Sequence, residues 1–389
     1  MTSGFSERAY RMISCQRELF DIPQDVAYFN CAYTAPLLHS AAAAGKAALK
    51  SKAEPWTITS GHFFATMDEN RRLFAELIGC APASIAIIPA VSYGVALAAK
   101  NLPVEKGQAI LLLQDQFPSH VYSWRLKTTH EDAVLKTVRR PSDNDWTAAV
   151  IDAIDDQTAI AALPNCHWTD GTLLDLVKIG ARCRQVGAAL VVDGTQSLGA
   201  MPFSVAAVQP DFLITTAHKW LLGPYSFGFC YAAPGRQHGV PLEENWLNRA
   251  GSENFARLVD YRNEYQPGAR RYDMGAASNF ILAPIAAAAL SQLLDWGVDN
   301  IADTLRETTV RIADQAAELG FQVPADGVRA PHMLGMSIPL GLPEGLLPNL
   351  AREKVFVSVR GNAIRIAPHL YNTEKDLERL FSALARSLH

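Results

Sequence analysis

The stretch TTAHKWLLGPYSFGFC, residues 215–230, contains one lysine, Lys219, directly after a histidine. The residues that lead into it, DFLIT at 211–215, are apolar enough to form a strand of a buried sheet. Lysine side chains are rarely buried without a partner, and most of them lie on hydrated surfaces. A lysine at the end of a buried strand therefore indicates that its amine has a chemical use.

Short apolar segments recur on both sides of this stretch and alternate with helical patterns. One helical segment, LLDLVKIGARCRQVG at 173–187, ends at a glycine, as helices often do. Several apolar segments lack polar alternation, which is typical of strands covered on both faces. The alternation predicts an α/β fold with a mostly parallel, wound sheet. The predicted strands are SIAIIP (84–89), AILLLQ (109–114), AIAALP (159–164), AALVVD (188–193), DFLITT (211–216) and FGFCYA (227–232).

The C-terminal part has a different pattern, with long helices before strands. Gly361 is the expected turn of an antiparallel strand pair. Thr373 and Asp376 have the spacing of a capping box, which predicts the start of a last helix. The other predicted elements are helices over 284–297 and 300–320 and strands over 354–360 and 362–368.

The chain has 389 residues, more than a typical single core, so we predict two domains. Residues 46–264 form the large domain and residues 265–389 a smaller α+β domain. Residues 1–45 are expected to pack with the smaller domain.

The composition of the chain disfavours several classes of protein. Hydrophobic residues make up 49% of the chain and charged residues 19%, as in folded globular proteins. The formal net charge of -4 offers no basic surface for nucleic acid. The six cysteines lack CxxC spacing and favour neither a disulfide framework nor a zinc site, and no other metal site is predicted. The first residues, MTSGFSERAY, lack the apolar core of a signal peptide, and no apolar stretch is long enough to cross a bilayer, so we expect a cytoplasmic protein without a membrane partner.

Polar side chains follow three of the predicted strands. Because ligands gather at the carboxyl ends of strands in wound sheets, we expect these groups to converge on one edge. They are Asp193 and Gln196 after one strand, Asn165 and His167 after a second, and Thr216, His218 and Lys219 after a third.

An amine and a carboxylate in one site suit pyridoxal phosphate, the common electron sink for carbanion chemistry on amino acids. Lys219 would form the Schiff base, and Asp193 would keep the pyridine nitrogen protonated. Phe117, which follows the strand at 109–114, would stack on the ring. A loop that enters a helix at 90–102 offers donors for the phosphate. The predicted phosphate ligands are Ser92, Tyr93, Gly94, Thr216 and His218.

Three motifs carry a resemblance to the class V aminotransferase family of fold-type I pyridoxal-phosphate enzymes. They are VVDGTQ (191–196), TTAHKWLLGP (215–224) and IRIAPHLYNTEKDLERL (364–380). The family includes cysteine desulfurases, kynureninase and isopenicillin N epimerase-like proteins. The resemblance covers the whole chain. It implies the aspartate-aminotransferase-like fold, an internal aldimine at Lys219 and a homodimer with active sites at the subunit interface.

The resemblance also implies roles around the cofactor. Gln196 would donate to the ring oxygen, and Phe117 matches the stacking phenylalanine of the kynureninase-like branch. Asn165 and His167 would lie near the cofactor. Simpler roles stay open, because Asp193 also suits a helix cap and His218 a buried core position.

Substrate contacts follow from the same resemblance. Arg365 would bind the α-carboxylate of the substrate, with Arg360 as a second candidate; a hydrated strand arginine is the simpler alternative. The segment YFNCAYTAPL, with Asn30 and Tyr33, resembles the one that admits substrate. The segment RRYDMGAASN resembles the one that reaches the neighbouring subunit's phosphate, here through Ser278, since Ala276 replaces the family's usual threonine.

The residues specify the type of reaction less closely than they specify the cofactor. Cysteine desulfurases accept sulfur on a mobile cysteine of the C-terminal domain, and the last cysteine here is Cys230. A lyase or an aminotransferase is therefore predicted, with an epimerase as the alternative. The chain has neither GxGxxG between strand and helix nor a P-loop, which disfavours a nicotinamide-dependent dehydrogenase. A non-catalytic binding protein on the same fold is the remaining alternative.

Overall fold

The computed structural model describes residues 12–339 and 341–388. The strands in these ranges are β1 Ala27–Tyr28, β2 Ile85–Ile88, β3 Ala109–Leu113, β4 Val134–Val138, β5 Thr158–Pro164, β6 Ala189–Asp193, β7 Phe212–Thr216, β8 Gly228–Ala232, β9 Leu334–Ser337, β10 Val355–Phe356, β11 Ser358–Arg360 and β12 Ala363–Ile366. The α-helices are α1 His39–Ala53, α2 His62–Ile78, α3 Val91–Asn101, α4 Tyr122–His130, α5 Trp146–Ala153, α6 Leu176–Val186, α7 Val205–Val208, α8 Leu282–Trp296, α9 Val298–Glu318, α10 Leu346–Arg352 and α11 Glu374–Leu388.

A seven-stranded sheet in the order β2-β8-β7-β6-β5-β3-β4 forms the centre of the molecule. Strands β3 to β7 form parallel pairs, whereas β8 is antiparallel to both β2 and β7. Successive residues of one strand enter different hydrophobic clusters, for example Ile87 and Ile88 of β2. Because both faces of the sheet are covered, its central strands are apolar throughout. The predicted α/β class with a mostly parallel wound sheet is confirmed.

All six strands predicted for this sheet are present, each within one residue of its predicted ends. The seventh, β4, was not predicted. It is an edge strand with the sequence VLKTV, and Val134 is exposed. A strand covered on one side only needs neither a continuous apolar run nor strict alternation, so its sequence carries a weak signal.

A smaller sheet in the order β11-β12-β9 forms the core of the C-terminal part. Strands β11 and β12 are antiparallel and turn at Gly361, whose φ of 55° suits a residue without a side chain. The strand predicted over 354–360 is divided, because β10 leaves the hairpin and pairs in parallel with β1 near the N-terminus. Strand β9 was not predicted.

The N-terminal segment is tied to the last helix by a buried ion pair. The Arg17 guanidinium donates to Asp376 Oδ2 at 2.8 Å, and both side chains are buried. Asp376 also accepts from the Thr373 amide at 2.9 Å, while its own amide donates to Thr373 Oγ1 at 3.2 Å. This reciprocal pair is the predicted capping box.

The two predicted long helices are α8 and α9. Helix α8 packs against α1 and α2, and the Asn70 side chain of α2 donates to the Ala283 carbonyl at 3.0 Å. Gly45 of α1 allows close contact, because a Cβ there would lie 2.8 Å from Ile285 Cδ1. No helix within the described ranges is long and apolar enough to cross a membrane.

Candidate active site

The carboxyl ends of β5, β6 and β7 meet at one edge of the sheet. Asp193, the last residue of β6, lies between Pro164 of β5 and Ile214 of β7 in the strand register. A cavity of about 540 Å³ opens at this edge, between the large sheet and the small hairpin. Polar, charged and aromatic side chains are prominent in its lining, among them those of Ser92, Phe117, His120, Trp168, Asp193, Gln196, Thr216, His218, Lys219, Arg360 and Arg365. The convergence expected from the strand ends is therefore present.

Lys219 lies in the turn that follows β7. The Ala217 carbonyl accepts from the Gly223 amide at 2.8 Å, and the Lys219 carbonyl accepts from the Leu222 amide at 2.9 Å, which closes the turn. Its Nζ lies 5.4 Å from the centre of the Phe117 ring. Burial, assisted by the positive charge of Arg365, lowers the Lys219 pKa to about 8, although Asp193 acts in the opposite direction. The amine is therefore held in a form that is easily deprotonated near neutral pH.

Asp193 is buried and is held by the backbone. Its Oδ1 accepts from the Thr195 amide at 2.9 Å, and the adjacent Gly194 amide donates to the Ile214 carbonyl at 2.8 Å. Thr195 also lines the cavity, and its Oγ1 is buried without a hydrogen-bond partner among the described residues. The carboxylate is thus a rigid, negatively charged group in the same cavity as the amine.

Gln196 is clamped at both ends of its side-chain amide. Its Oε1 accepts from Trp220 Nε1 at 2.9 Å, and its Nε2 donates to the Ala32 carbonyl at 3.1 Å. Since the amide group has two N–H donors, one remains for a ligand. The His332 Nε2, 2.6 Å away, adds a hydrogen bond to the backbone carbonyl of Gln196. This geometry is compatible with the predicted donation to a cofactor ring oxygen.

Helix α3 begins beside the cavity. Gly94 lets it approach the sheet, because a Cβ at this position would lie 2.6 Å from Ile214 Cγ2 and 3.0 Å from Ile88 Cδ1. Ser92 lines the cavity, and the unsatisfied amides of a helix N-terminus favour an anion. Tyr93 and Gly94 do not line the cavity, and their amides donate to the Ala90 carbonyl. Gly94 therefore positions the helix rather than contacting the cavity.

Thr216 and His218 line the same cavity. Thr216 Oγ1 and His218 Nδ1 are hydrogen-bonded at 2.8 Å, and the imidazole packs 4.5 Å from the Tyr225 ring. Burial, with a smaller effect from the Lys219 charge, lowers the His218 pKa to about 4. The imidazole is therefore neutral at pH 7 and acts as a dipolar partner rather than as a cation.

Asn165 and His167 do not line the cavity. His167 stacks on Trp146 with ring centres 5.5 Å apart, and its Nδ1 is hydrogen-bonded to Thr169 at 2.7 Å. The neighbouring residues, Cys166 and Trp168, face the cavity instead. Residues 165–168 thus lie alternately outside the cavity and in its lining, and the predicted pair is outside it.

Aromatic groups form one wall of the cavity. The rings of Phe117 and Trp168 are 5.4 Å apart at 78°, an edge-on contact. His120 also lines the cavity; it is fully buried and hydrogen-bonded to Gln116, and its Nε2 has no partner among the described residues. The segment HWTDG at 167–171 is predicted from the sequence to line the cofactor site, but no specific role is assigned to Trp168. His120 was not predicted, although it lies in the same FPSH run as Phe117.

Arg365 is buried, with 1% of its surface exposed. It alternates with Ile364 and Ile366, as predicted, but the face it occupies is covered, because it lines the cavity between the hairpin and the large sheet. Its Nη1 donates to the Trp168 carbonyl at 2.8 Å. The alternative of a hydrated strand arginine is therefore wrong, and the guanidinium is available inside the cavity.

The remaining predicted residues lie at the margin or elsewhere. Tyr33 lines the cavity and is 59% exposed, whereas Asn30 is buried next to it and its Nδ2 lies 3.5 Å from the Val357 carbonyl. Ser278 is away from this cavity, and its Oγ donates to the Phe63 carbonyl at 2.6 Å. Its predicted contact with a neighbouring subunit stays a prediction.

The residues present fit pyridoxal phosphate. The cavity holds an amine with a lowered pKa, a fixed carboxylate, an aromatic wall and a helix N-terminus beside a Thr–His pair. Two buried polar atoms at its surface, Thr195 Oγ1 and His120 Nε2, lack partners among the described residues. Buried polar groups are almost always hydrogen-bonded, so these atoms indicate a polar ligand.

Comparison with known proteins agrees with this chemistry. The family model described as aminotransferase class-V matches residues 50–380. An uncharacterized aminotransferase of Bacillus subtilis (strain 168), YcbU, is 29% identical over 324 residues, 82% of this chain and 83% of that protein. The isopenicillin N epimerase of Streptomyces clavuligerus is 26% identical over 350 residues, 85% of this chain and 87% of that protein.

Solved structures show the same fold. The cystine C–S lyase C-DES, in complex with its product cysteine persulfide, matches with a TM-score of 0.83 at 20% identity, over 93% of this chain and 98% of that one. A variant of C-DES with glycine covalently linked to its pyridoxal-phosphate cofactor matches with a TM-score of 0.85 at 19% identity, over 95% and 98%. The chain therefore belongs to the class V aminotransferase family and is a pyridoxal-phosphate-dependent enzyme of fold type I.

Proposed function

We propose that Lys219 binds the cofactor covalently and that the enzyme acts on an amino acid as a lyase or an aminotransferase. The observation that carries this proposal is the position of a lysine amine with a pKa of about 8 in one cavity with Asp193 and Phe117. Each of the three groups has a simpler role on its own. Together they form the set that pyridoxal phosphate requires.

Each residue has a defined task in this proposal. Pyridoxal phosphate with a protonated ring nitrogen withdraws electrons from the α-carbon of a bound amino acid. Asp193 stabilises that proton, Phe117 packs on the ring, and Gln196 donates its free N–H to the ring oxygen. Ser92 at the N-terminus of α3, with the Thr216–His218 pair, binds the phosphate.

Lys219 also moves the proton at the α-carbon. A general base works best when its pKa is near the operating pH, and the pKa of this amine is about 8. The Arg365 guanidinium binds the α-carboxylate of the substrate in a bidentate manner, which orients the α-carbon toward the amine.

A desulfurase that passes sulfur to its own thiol is disfavoured. Cys166 lines the cavity, but it is buried, and its Sγ donates to the Gln196 carbonyl at 3.3 Å. Burial raises the Cys166 pKa far above its ordinary value, so the reactive thiolate is scarce. The thiol belongs to a packed strand end, not to a mobile loop.

Epimerisation at the α-carbon is the second candidate. The observation that favours it is similarity to two isopenicillin N epimerases, from Streptomyces clavuligerus and Amycolatopsis lactamdurans, at 26% and 25% identity. Epimerisation begins, like the lyase and aminotransferase reactions, with removal of the proton at the α-carbon. They differ in whether a group leaves or the proton returns on the other face.

We also propose that the working unit is a cytoplasmic homodimer. Ser278 lies beside a surface cluster of edge-packed aromatic rings that includes Phe63, Trp246 and Phe280, and Trp246 is 38% exposed. Exposed apolar patches of this kind mark protein–protein contacts. Sedimentation of the purified protein at several concentrations tests the subunit number.

The central test uses the colour of the bound cofactor. The purified enzyme is expected to absorb in the visible range, and borohydride should remove the band and leave the cofactor attached to a peptide that contains Lys219. Lys219→Ala should lose covalent attachment. A Lys219→Ala protein that still yields a borohydride-trapped peptide would contradict the assignment.

A second assay separates the reactions. The enzyme is incubated with a panel of amino acids in deuterated water. Release of a β-substituent indicates a lyase, keto acid with aminated cofactor indicates an aminotransferase, and an α-deuterated product of the opposite configuration indicates an epimerase.

A further inference from the structure

Two arginines of the small hairpin line the cavity, although one suffices for an α-carboxylate. The β11–β12 register pairs Arg365 with Ser358 and Arg360 with Ala363. Since paired residues and residues two apart share a face, Arg360 and Arg365 project from the same side of the hairpin. That side is the one that faces Lys219 and Asp193 across the cavity.

The positive charges in the cavity exceed the negative ones. Lys219, Arg360 and Arg365 line it, whereas Asp193 is the sole carboxylate among the described lining residues. Neither arginine forms an ion pair within residues 12–339 and 341–388. Arg360 donates only to the neighbouring Val359 carbonyl at 2.7 Å, and the Nε of Arg365 has no partner there. The proposed phosphate ligands are Ser92, Thr216 and His218 rather than these two arginines, so both guanidinium groups are free to bind anionic groups of the substrate.

The two arginines lie at different depths. Arg365 is almost fully buried, with 1% of its surface exposed. Arg360 is only half-buried, and its guanidinium carbon lies 5.6 Å from the centre of the Trp168 ring. Both arginines therefore contact Trp168: its carbonyl accepts from Arg365, and its ring faces Arg360. The inner arginine suits a carboxylate next to the reacting carbon and the outer one a group farther along the substrate.

We propose that the substrate is an amino acid whose side chain ends in a second carboxylate, bound by Arg360 while Arg365 binds the α-carboxylate. This inference rests on the proposed function, because it assumes that the amino group reacts at Lys219. The side chain of the substrate runs along the Trp168 indole between the two guanidinium groups.

The test compares acids with their uncharged amides. Dissociation constants for the holoenzyme are measured from the change in cofactor absorbance with aspartate, glutamate, 2-aminoadipate and 2-aminopimelate, each beside its side-chain amide. At least one acid is expected to bind about ten- to a hundredfold more tightly than its amide, the usual size of a charge-assisted hydrogen bond. Arg360→Gln should abolish this preference and leave amide binding unchanged, while Arg360→Lys should retain part of it.

Matched variants separate the roles. Arg365→Gln should weaken acid and amide alike, and the exposed Arg352→Gln, which makes the same charge change in the small domain, should alter neither. The inference is overturned if no acid binds more tightly than its amide, or if the preference survives in Arg360→Gln. Amide binding by Arg360→Gln shows that this variant is folded. Failure of the proposed function is seen separately, as a missing covalent cofactor before any amino acid is added.

Discussion

The protonation state of Lys219 should control how fast the apoenzyme takes up its cofactor. Only the unprotonated amine attacks an aldehyde, and the pKa of this amine is about 8 instead of the ordinary 10.5. A base with a lowered pKa loses its proton as pH rises through the lower value. The rate of covalent loading by pyridoxal phosphate should therefore rise with pH and level off above about pH 8.

The size of the effect follows from the two pKa values. At pH 7 about 9% of an amine with a pKa of about 8 is unprotonated, against roughly 0.03% for an ordinary lysine. Loading at pH 7 should thus be about 300-fold faster than an ordinary surface amine allows. Stopped-flow absorbance after mixing apoenzyme with pyridoxal phosphate, between pH 6 and pH 10.5, measures the midpoint.

A charge variant tests the cause. Burial is the largest reason for the lowered pKa, and the positive charge of Arg365 is the next. Arg365→Gln removes the repulsion, so the midpoint should move to higher pH yet stay below 10.5, because the burial remains. Arg352→Gln is the control and should leave the midpoint in place. A native midpoint near 10, or an unchanged midpoint in Arg365→Gln, would refute this reasoning.

Three further outcomes are expected. Gly94→Ala places a Cβ 2.6 Å from Ile214 Cγ2, so α3 must shift; stability should fall by about 1–3 kcal/mol in urea unfolding, and phosphate affinity should weaken in cofactor titration. Asp376→Ala leaves the Arg17 charge buried without its carboxylate and should cost about 3–5 kcal/mol of unfolding free energy, and a loss below 1 kcal/mol would show that the pair is hydrated. Asp193→Asn should keep the fold by circular dichroism but lower turnover on the order of a hundredfold, whereas unchanged turnover would assign Asp193 to a structural role.

Most of the large sheet could be predicted because its signals are local. A strand covered on both faces, such as β6 or β7, must be apolar along its whole length, and the polar residue that ends it is then conspicuous. Strands β4 and β9 escaped prediction for the opposite reason. Contacts with neighbouring segments stabilise an edge strand or a strand of a small sheet, so its own sequence shows a weaker strand pattern.

The side chains that follow a strand were harder to place. Asn165 and His167 were predicted in the cavity, but Cys166 and Trp168 occupy it. Side chains of this segment are held by contacts distant in sequence, such as the Trp168 Nε1 donation to the Asp115 carbonyl at 2.7 Å. Nothing in residues 164–168 themselves specifies which side of the backbone faces the ligand.

Local patterns in the chain are enough to predict the wound sheet, the carboxylate at the end of β6 and the amine in the turn after β7, because apolar runs and the polar residues that end them are local properties. The electrostatics of the cavity depend instead on how the folded segments are arranged in space. Burial and the approach of the small hairpin lower the Lys219 pKa, cover Arg365 and bring Arg360 beside it. These effects depend on how far groups lie from water and from one another, and such distances are set by the packing of segments remote in the chain.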